Sequence, residues 1–562
     1  MSESVSFVVP RVRSRALPVI LIFAGVLFGV GVGWGLPNNE TWESDSLAPY
    51  HPLVGLSQLF SFGYFNKYPL VHQWLLAILD LPVVAIAAFH SFRDGAFQPF
   101  DFIDRMQSPE YVTPLLLIGA LVSVAMSIGV VYLAYRLGTE LAGRSVGLFS
   151  ALFCALDSAL NRFAHVAKVD VPHAFWALVS IYLLARAVRH GRRRDHMLCA
   201  LAACLSFGTK DQAYAIFVLP FALYLVVYPL WFGERIEPWY RRLFTPQLAA
   251  FALSFVAGTL WVENVLLNRS GLIKRFQHLT GDAGFRSAGY AGDVSGGLAL
   301  LADFNRTLIQ NLGGLPIYAL CLAGIAIVLF DRRLALPERA LRLLPLTAAV
   351  SNYLFFVQII RQSSDRFALF AALALTFYAG LAAARLLRMC RERVPRLLAI
   401  AVLALACLQA LILSSRIDLD LQADVRYAAE AWLVQHVPAG ARIEYYSARH
   451  YMPRLPSGSQ PYQIKHHPLA LPERRPEFVV LSSLDYERYL GSTQRDSQDG
   501  RWTVTTRRMR DRTETEFPEF YRKLFAGELG YEQLARFDRR FTFQRVSSVP
   551  GTIRIFGLRG QP

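Results

Sequence analysis

Long runs without a charged side chain, separated by short loops crowded with arginine, constrain this chain more than any other feature. The first run, over 17–36, has no Asp, Glu, Lys or Arg and follows Arg11, Arg13 and Arg15. A cleaved leader has a shorter apolar core and ends at a small-residue site, so a retained anchor is expected. Further runs begin near Val112, Val146, Val171, Leu198, Ala213, Pro246, Leu312, Leu344, Phe367 and Leu397. At the roughly twenty residues that a bilayer requires, about eleven spanning helices are expected. With 54% of its 562 residues hydrophobic, the chain is too apolar for a soluble protein of this size.

Arginine sets the expected orientation. With the N-terminus inside, one set of loops holds Arg136 and Arg144, then Arg186, Arg189, Arg192, Arg193 and Arg194, then Arg235, Arg241 and Arg242. The same side continues with Arg332, Arg333 and Arg339, and with Arg385, Arg388, Arg391 and Arg393. Short loops this rich in arginine belong on the cytoplasmic side. If 72–90 also crossed, Arg192–Arg194 would face outward, so that stretch is expected to lie in the interface with Asp80 near water. The chain then divides into a transmembrane region, 1–415, with long outer loops over 37–110 and 268–310, and an extracytoplasmic region, 416–562. The expected fold is mainly α and polytopic, with a C-terminal α/β domain.

The net charge of +16 invites a nucleic-acid reading, but loop anchoring accounts for most of it and no basic stripe interleaved with aromatics is present. The last of six cysteines is Cys407, so the region beyond it has no disulfide framework and no thiolate zinc site. There the composition predicts helices over 423–437 and 518–526, and strands over 442–446, 478–481, 502–506 and 552–556.

The residues that could carry chemistry cluster at the outer ends of the runs. Trp42-Glu43-Ser44-Asp45-Ser46 is an acidic segment just beyond the first run, followed by Lys67-Tyr68-Pro69-Leu70-Val71-His72. Then come Arg162-Phe163-Ala164-His165, Val169-Asp170-Val171-Pro172, Phe207-Gly208-Thr209-Lys210 and Arg366-Phe367. A carboxylate at a water-facing boundary can act as a base on a hydroxyl, and cations beside it can receive a departing phosphate. Nucleotide sugars stay in the cytoplasm, so a transferase working outside needs a donor that crosses on a lipid.

In order and sidedness these motifs resemble the GT-C superfamily of integral-membrane glycosyltransferases, in the branch of protein O-mannosyltransferases and the bacterial aminoarabinose transferase. The resemblance implies transfer of a sugar from a polyprenyl-phosphate carrier to a glycan, lipid or protein acceptor outside the membrane. It further implies residence in the inner (plasma) membrane and a base in the first outer loop, often half of an Asp-Glu pair. Asp45 matches the Asp; Ser46 stands where the Glu would be, and Glu43, Glu40 or Asp170 is left to supply the second acid. Lys67, Arg162, Lys210 and Arg366, with Arg361 as a further cation, are the candidates for the donor phosphate. Tyr68, His72 and His165 are candidates for substrate contact.

Plainer roles compete at each position. Asp45 could cap a helix starting near Leu47, and Asp170, two residues before Pro172, could be an N-cap. Asp157 reads as structural, with Asn161 one turn on as its partner. Asp45, Glu43, Asp170 and His165 are of the types that hold a divalent cation, with no spacing motif to require one. The sequons at Asn39, Asn268 and Asn305 fall in outer segments. A transporter or flippase is the rival class; it predicts charges near the midplane and broken helices related by internal repeats, and neither is evident. A non-catalytic membrane scaffold, in which Asp45 and the outer cations would be replaceable, is the third reading.

Overall fold

The computed structural model describes residues 15–37, 41–43, 45–64, 67–95, 99–232, 238–281, 289–390, 392–490, 516–539 and 549–560. Glu40, the sequon at Asn39 and the expected strand over 502–506 lie outside the described residues. Among the described residues six helices are long and apolar enough to cross a membrane: Val71–Arg93, Pro109–Ala142, Asp170–His190, Asp211–Phe232, Asp365–Met389 and Arg393–His436. Three more qualify as bent pairs: Arg144–Ala155 with Ser158–Ala164 at 59°, Val294–Asn311 with Leu315–Phe330 at 111°, and Leu336–Arg342 with Leu344–Ile360 at 44°. Ala16–Gly29 and Pro246–Val262 are apolar and shorter.

The chain is a polytopic membrane protein, with six to nine spans by this measure against about eleven expected. Three of the expected runs form helices too short to qualify, Ala16–Gly29, Arg193–Phe207 and Pro246–Val262 with 14, 15 and 17 residues, and three others bend at a break. Asp157 ends one helix and caps the next by accepting from the Leu160 N–H at 2.8 Å, and Gly313 and Gly314 turn the chain at positive φ. The 71–93 stretch, expected to lie along the interface, has the length and apolar composition of a spanning helix. At Ala87 it packs with Tyr111 and Leu115 near the start of Pro109–Ala142, the end of that helix that also lies under Ala48 and Ala167. Its Asp80 is 1% exposed, not near water.

Helix Asp365–Met389 forms the middle of the bundle, packed against Arg144–Ala155, Leu315–Phe330 and Leu344–Asn352. Its run of small residues, from Ala368 through Ala371, Ala372, Ala374 and Ala379 to Gly380, lets neighbouring backbones approach closely.

The last spanning helix continues as Arg393–Gln422 across the expected division at residue 415 and leads into Val425–His436. A five-stranded sheet follows, from β1 (Arg442–Tyr445), β2 (Gln460–Gln463), β3 (Phe478–Ser482), β4 (Tyr531–Asp538) and β5 (Thr552–Leu558), in the order β2-β1-β3-β5-β4. β1 is parallel to both β2 and β3, whereas β5 is antiparallel to β3 and β4. Alternation along β3 sends Val480 to the helix 425–436 side and Val479 and Leu481 to the helix Glu516–Phe525 side. The sequence reading missed β2 and β4. Both are edge strands with mostly exposed side chains, and β2 contains Pro461, so neither has the apolar alternation that marks a strand.

Candidate functional site

Two loops meet over helix Pro109–Ala142. The Leu47 N–H donates to the Ala167 carbonyl at 2.8 Å, joining the acidic segment to the turn between Ala164 and Asp170. Gly119 lies beneath that contact, where an added Cβ would sit 2.6 Å from Ala167 Cβ and 3.0 Å from Ala48 Cβ. Methyl groups cannot rotate away, so Gly119→Ala should cost about 1–3 kcal/mol through overpacking. A lowered unfolding midpoint in detergent checks this.

The loops and helix starts bring together an alternating set of charges. Asp45 takes two cations, Lys67 Nζ at 3.2 Å on Oδ1 and Arg366 Nη1 at 2.9 Å on Oδ2. Glu43 pairs with Lys168 at 2.6 Å, with both side chains under a tenth exposed. Asp170 pairs with Lys210 at 2.5 Å, again fully enclosed. Arg162 pairs with Asp365, whose Oδ1 also accepts from the Arg366 backbone N–H at 2.9 Å. Phe367 lies under both Arg366 and Lys210, 4.9 and 5.6 Å from its ring centre.

These contacts revise several expectations. Asp45 caps no helix: the nearest one starts at Tyr50 with Pro49 at its N-cap. Asp170 is the first residue of its own helix, and its carboxylate turns to Lys210. The Lys210-Asp211 neighbours point to different partners, Asp211 to Arg275 at 3.2 Å. Arg361 is not in the cluster; its guanidinium holds the Ala291 and Gly292 carbonyls just before helix Val294–Asn311. His165 Nε2 is 2.6 Å from the Val30 carbonyl and 3.5 Å from Asp418, a contact between helices. The Asn161 side-chain amide donates to Asp418 at 2.8 Å and to the Ser414 carbonyl, not to the Asp157 carboxylate; only its backbone N–H reaches Asp157, at the carbonyl, at 3.1 Å. Asn268 caps its helix at Gly271, donates to the Tyr64 carbonyl and is 2% exposed, so this sequon is closed to modification. His72 is enclosed, and neither ring nitrogen has a hydrogen-bond partner among the described residues.

Burial alone would raise the Asp45 carboxyl, but Lys168, Lys67 and Arg366 outweigh it and hold the group below the usual carboxylate range. Burial, with Asp45 and Asp170 adding to it, pushes the Tyr68 phenol well above its ordinary value, leaving a protonated donor beside the carboxylates. Lys168 was absent from the sequence reading. Its signal was available: it is the one lysine between Arg162 and Asp170.

A divalent cation does not fit this donor set. Asp45, Glu43 and Asp170 are each turned to a lysine or arginine, His165 to a carbonyl, and among the described residues no three such ligands gather.

Residues 115–261, which include Arg162, Lys168, Asp170 and Lys210, match the dolichyl-phosphate-mannose-protein mannosyltransferase family. The GT-C resemblance is borne out. Among solved structures, ArnT from Cupriavidus metallidurans in the apo state is 15% identical at a TM-score of 0.47, covering 85% of this chain and 95% of that one. ArnT bound to undecaprenyl phosphate is 14% identical at the same score and the same coverage. AglB from Archaeoglobus fulgidus, an archaeal oligosaccharyltransferase in complex with an inhibitory peptide and a dolichol-phosphate, is 13% identical at 0.44, covering 84% and 70%. No curated protein sequence is significantly similar to the chain.

Proposed function

We propose that this chain is a membrane glycosyltransferase that moves a sugar from a polyprenyl-phosphate carrier to a hydroxyl or similar group of a glycan, lipid or protein acceptor, inverting the anomeric carbon. The observation that carries the reading is the surplus of positive charge at Asp45, two cations on one carboxylate that is a quarter exposed. Among the described residues Glu43, Asp170 and Asp365 form ion pairs with Lys168, Lys210 and Arg162 in turn. A donor phosphate competes with Asp45 for Lys67 and Arg366 through charge-assisted hydrogen bonds. Asp45, released from them, accepts the proton of the acceptor hydroxyl as its oxygen attacks the anomeric carbon. The bond from that carbon to the phosphate oxygen breaks, and the electron pair leaves on the phosphate, where Lys67 and Arg366 stabilise it.

Tyr68 is a hydrogen-bond donor to the same phosphate or to the sugar. Lys210 and Arg162 are spent on Asp170 and Asp365, so they contribute field more than direct contact. Glu43 and Asp170, the candidate second acids, are each neutralised by a buried lysine and fit the role of holding that lysine in place.

The reading includes a site facing away from the cytoplasm, a cytoplasmic N-terminus, a catalytic bundle over 1–415 and an extracytoplasmic module over 416–562, all in the inner (plasma) membrane. Arg186 and Arg189 support this: they lie near the far end of helix Asp170–His190, about 24 and about 28 Å from Asp170 by helical rise.

The deciding experiment is release of free polyprenyl phosphate by the purified protein in nanodiscs, offered a panel of polyprenyl-phosphate sugars with crude envelope extract as acceptor. Sugar-dependent release is expected, and Lys67→Ala and Arg366→Ala should each raise the donor KM about 10- to 100-fold, the worth of one charge-assisted hydrogen bond. No release with any donor from intact, folded protein would overturn the reading.

A further inference from the structure

The acidic segment is gripped from the other end of the chain. Trp42, next to Glu43, is 2% exposed. Its ring lies 4.0 Å from the Arg426 guanidinium and 4.8 Å from the Tyr427 ring, both on the helix that leads into the C-terminal sheet. Arg454 approaches the same indole at 6.0 Å and pairs with Glu430. Arg426 itself is 0% exposed, an uncommon state for an arginine, and its guanidinium also lies 5.4 Å from the Trp34 ring. Asp424 takes its charge at 2.6 Å, and its Nη1 donates to the His450 carbonyl at 2.6 Å.

The strip before Trp42 is tied to the same helix. The Gly35 N–H donates to Tyr427 Oη at 2.7 Å, and Trp34 Nε1 donates to Asp424 at 3.0 Å. The clamp therefore takes Trp34, Gly35 and Trp42 on one side and Asp424, Arg426, Tyr427 and Arg454 on the other, directly before the residues that carry the ion pairs. The charges of Glu43, Asp45 and Lys168 all act on the His450 ring, whose backbone Arg426 holds.

We propose that Arg426 is a positioning residue of this site: through Trp42 it fixes Glu43 and Asp45 against Lys168, Lys67 and Arg366. The C-terminal module is then required for turnover although it supplies none of the ion-pair partners named for Asp45. This rests on the reading of Asp45 as the base.

The test uses the full chain in nanodiscs with Arg426→Lys, Trp42→Leu and the double variant. Lysine keeps a charge for Asp424, so folding is protected, but it loses the planar stack and the bond to His450. Each single variant should lower kcat at least about tenfold with donor KM within about twofold, and the double variant should be no slower than the slower single. A readout independent of activity is labelling of Ser46→Cys by a water-soluble maleimide, which should speed up about tenfold when Arg426→Lys is added. Multiplicative losses in the double variant, or labelling unchanged by Arg426→Lys, would overturn the proposal. If the wild type turns over no donor, the glycosyltransferase reading fails, and the labelling rates alone decide whether Arg426 holds the segment.

Discussion

Asp45→Asn should abolish turnover while leaving donor binding intact. Removing a positioned general base lowers kcat by about 10²–10⁴-fold, and asparagine is isosteric, so the loops that carry position 45 have no reason to move. The donor side of the ledger has the opposite sign. In the wild type Lys67 and Arg366 both pair with Asp45, and in the proposed mechanism a donor phosphate displaces that carboxylate. A neutral amide competes less, so donor affinity is expected to hold or rise as kcat collapses. Titration by calorimetry beside single-turnover kinetics separates the two effects. Equal losses in affinity and rate would show that Asp45 only orders the cations.

The same competition predicts a split in pH dependence. In the free enzyme Asp45 sits below the usual carboxylate range, so its base form persists well into acid and is lost only as the pH falls through that lowered value. Once the phosphate draws the two cations away, the effect of burial remains and the group moves up. The acid limb of kcat, which reports the bound complex, should therefore lie at higher pH than the acid limb of kcat/KM, which reports the free enzyme. Asp45→Asn should remove both limbs from any residual rate.

The second large effect is on stability. Lys210→Met should destabilise the protein by about 3–5 kcal/mol, because it leaves Asp170 enclosed without its cation. Both side chains are 4% exposed, so water cannot take over the lost partner. Asp170→Asn combined with Lys210→Met removes both charges, and most of the loss should return in that double variant. Unfolding midpoints in detergent, read at one detergent and lipid composition, check both. A mild effect of Lys210→Met alone would mean that another cation, with Lys168 and Arg366 the nearest in charge, takes over Asp170.

Much of the architecture was legible because a bilayer imposes it. Length without charge identified most of the apolar helices. Motif order along the chain led to the GT-C resemblance, and the acidic segment with Lys67 and Arg366 was found at its span boundaries. The span count was less legible: a break such as Asp157, or the turn at Gly313 and Gly314, lies inside an apolar run and is visible only when the helix direction is. Edge strands β2 and β4 escaped because an edge buries little, so selection leaves no apolar alternation there to read.

What the sequence by itself determined is the set of charges available at the helix ends, since a membrane core admits few and each one retained is conspicuous. Only the tertiary structure decided which charge meets which. Pairing depends on helices distant in the chain: Asp45 meets Arg366 across 321 residues, and Trp34 meets Asp424 across 390. It separated Arg361 and His165, bound to backbone carbonyls, from Lys67 and Arg366, which share one carboxylate. It also brought Arg426 onto Trp42, a contact that no local pattern encodes, because an ion pair or a stacked ring is fixed by how whole helices pack and not by spacing along one of them.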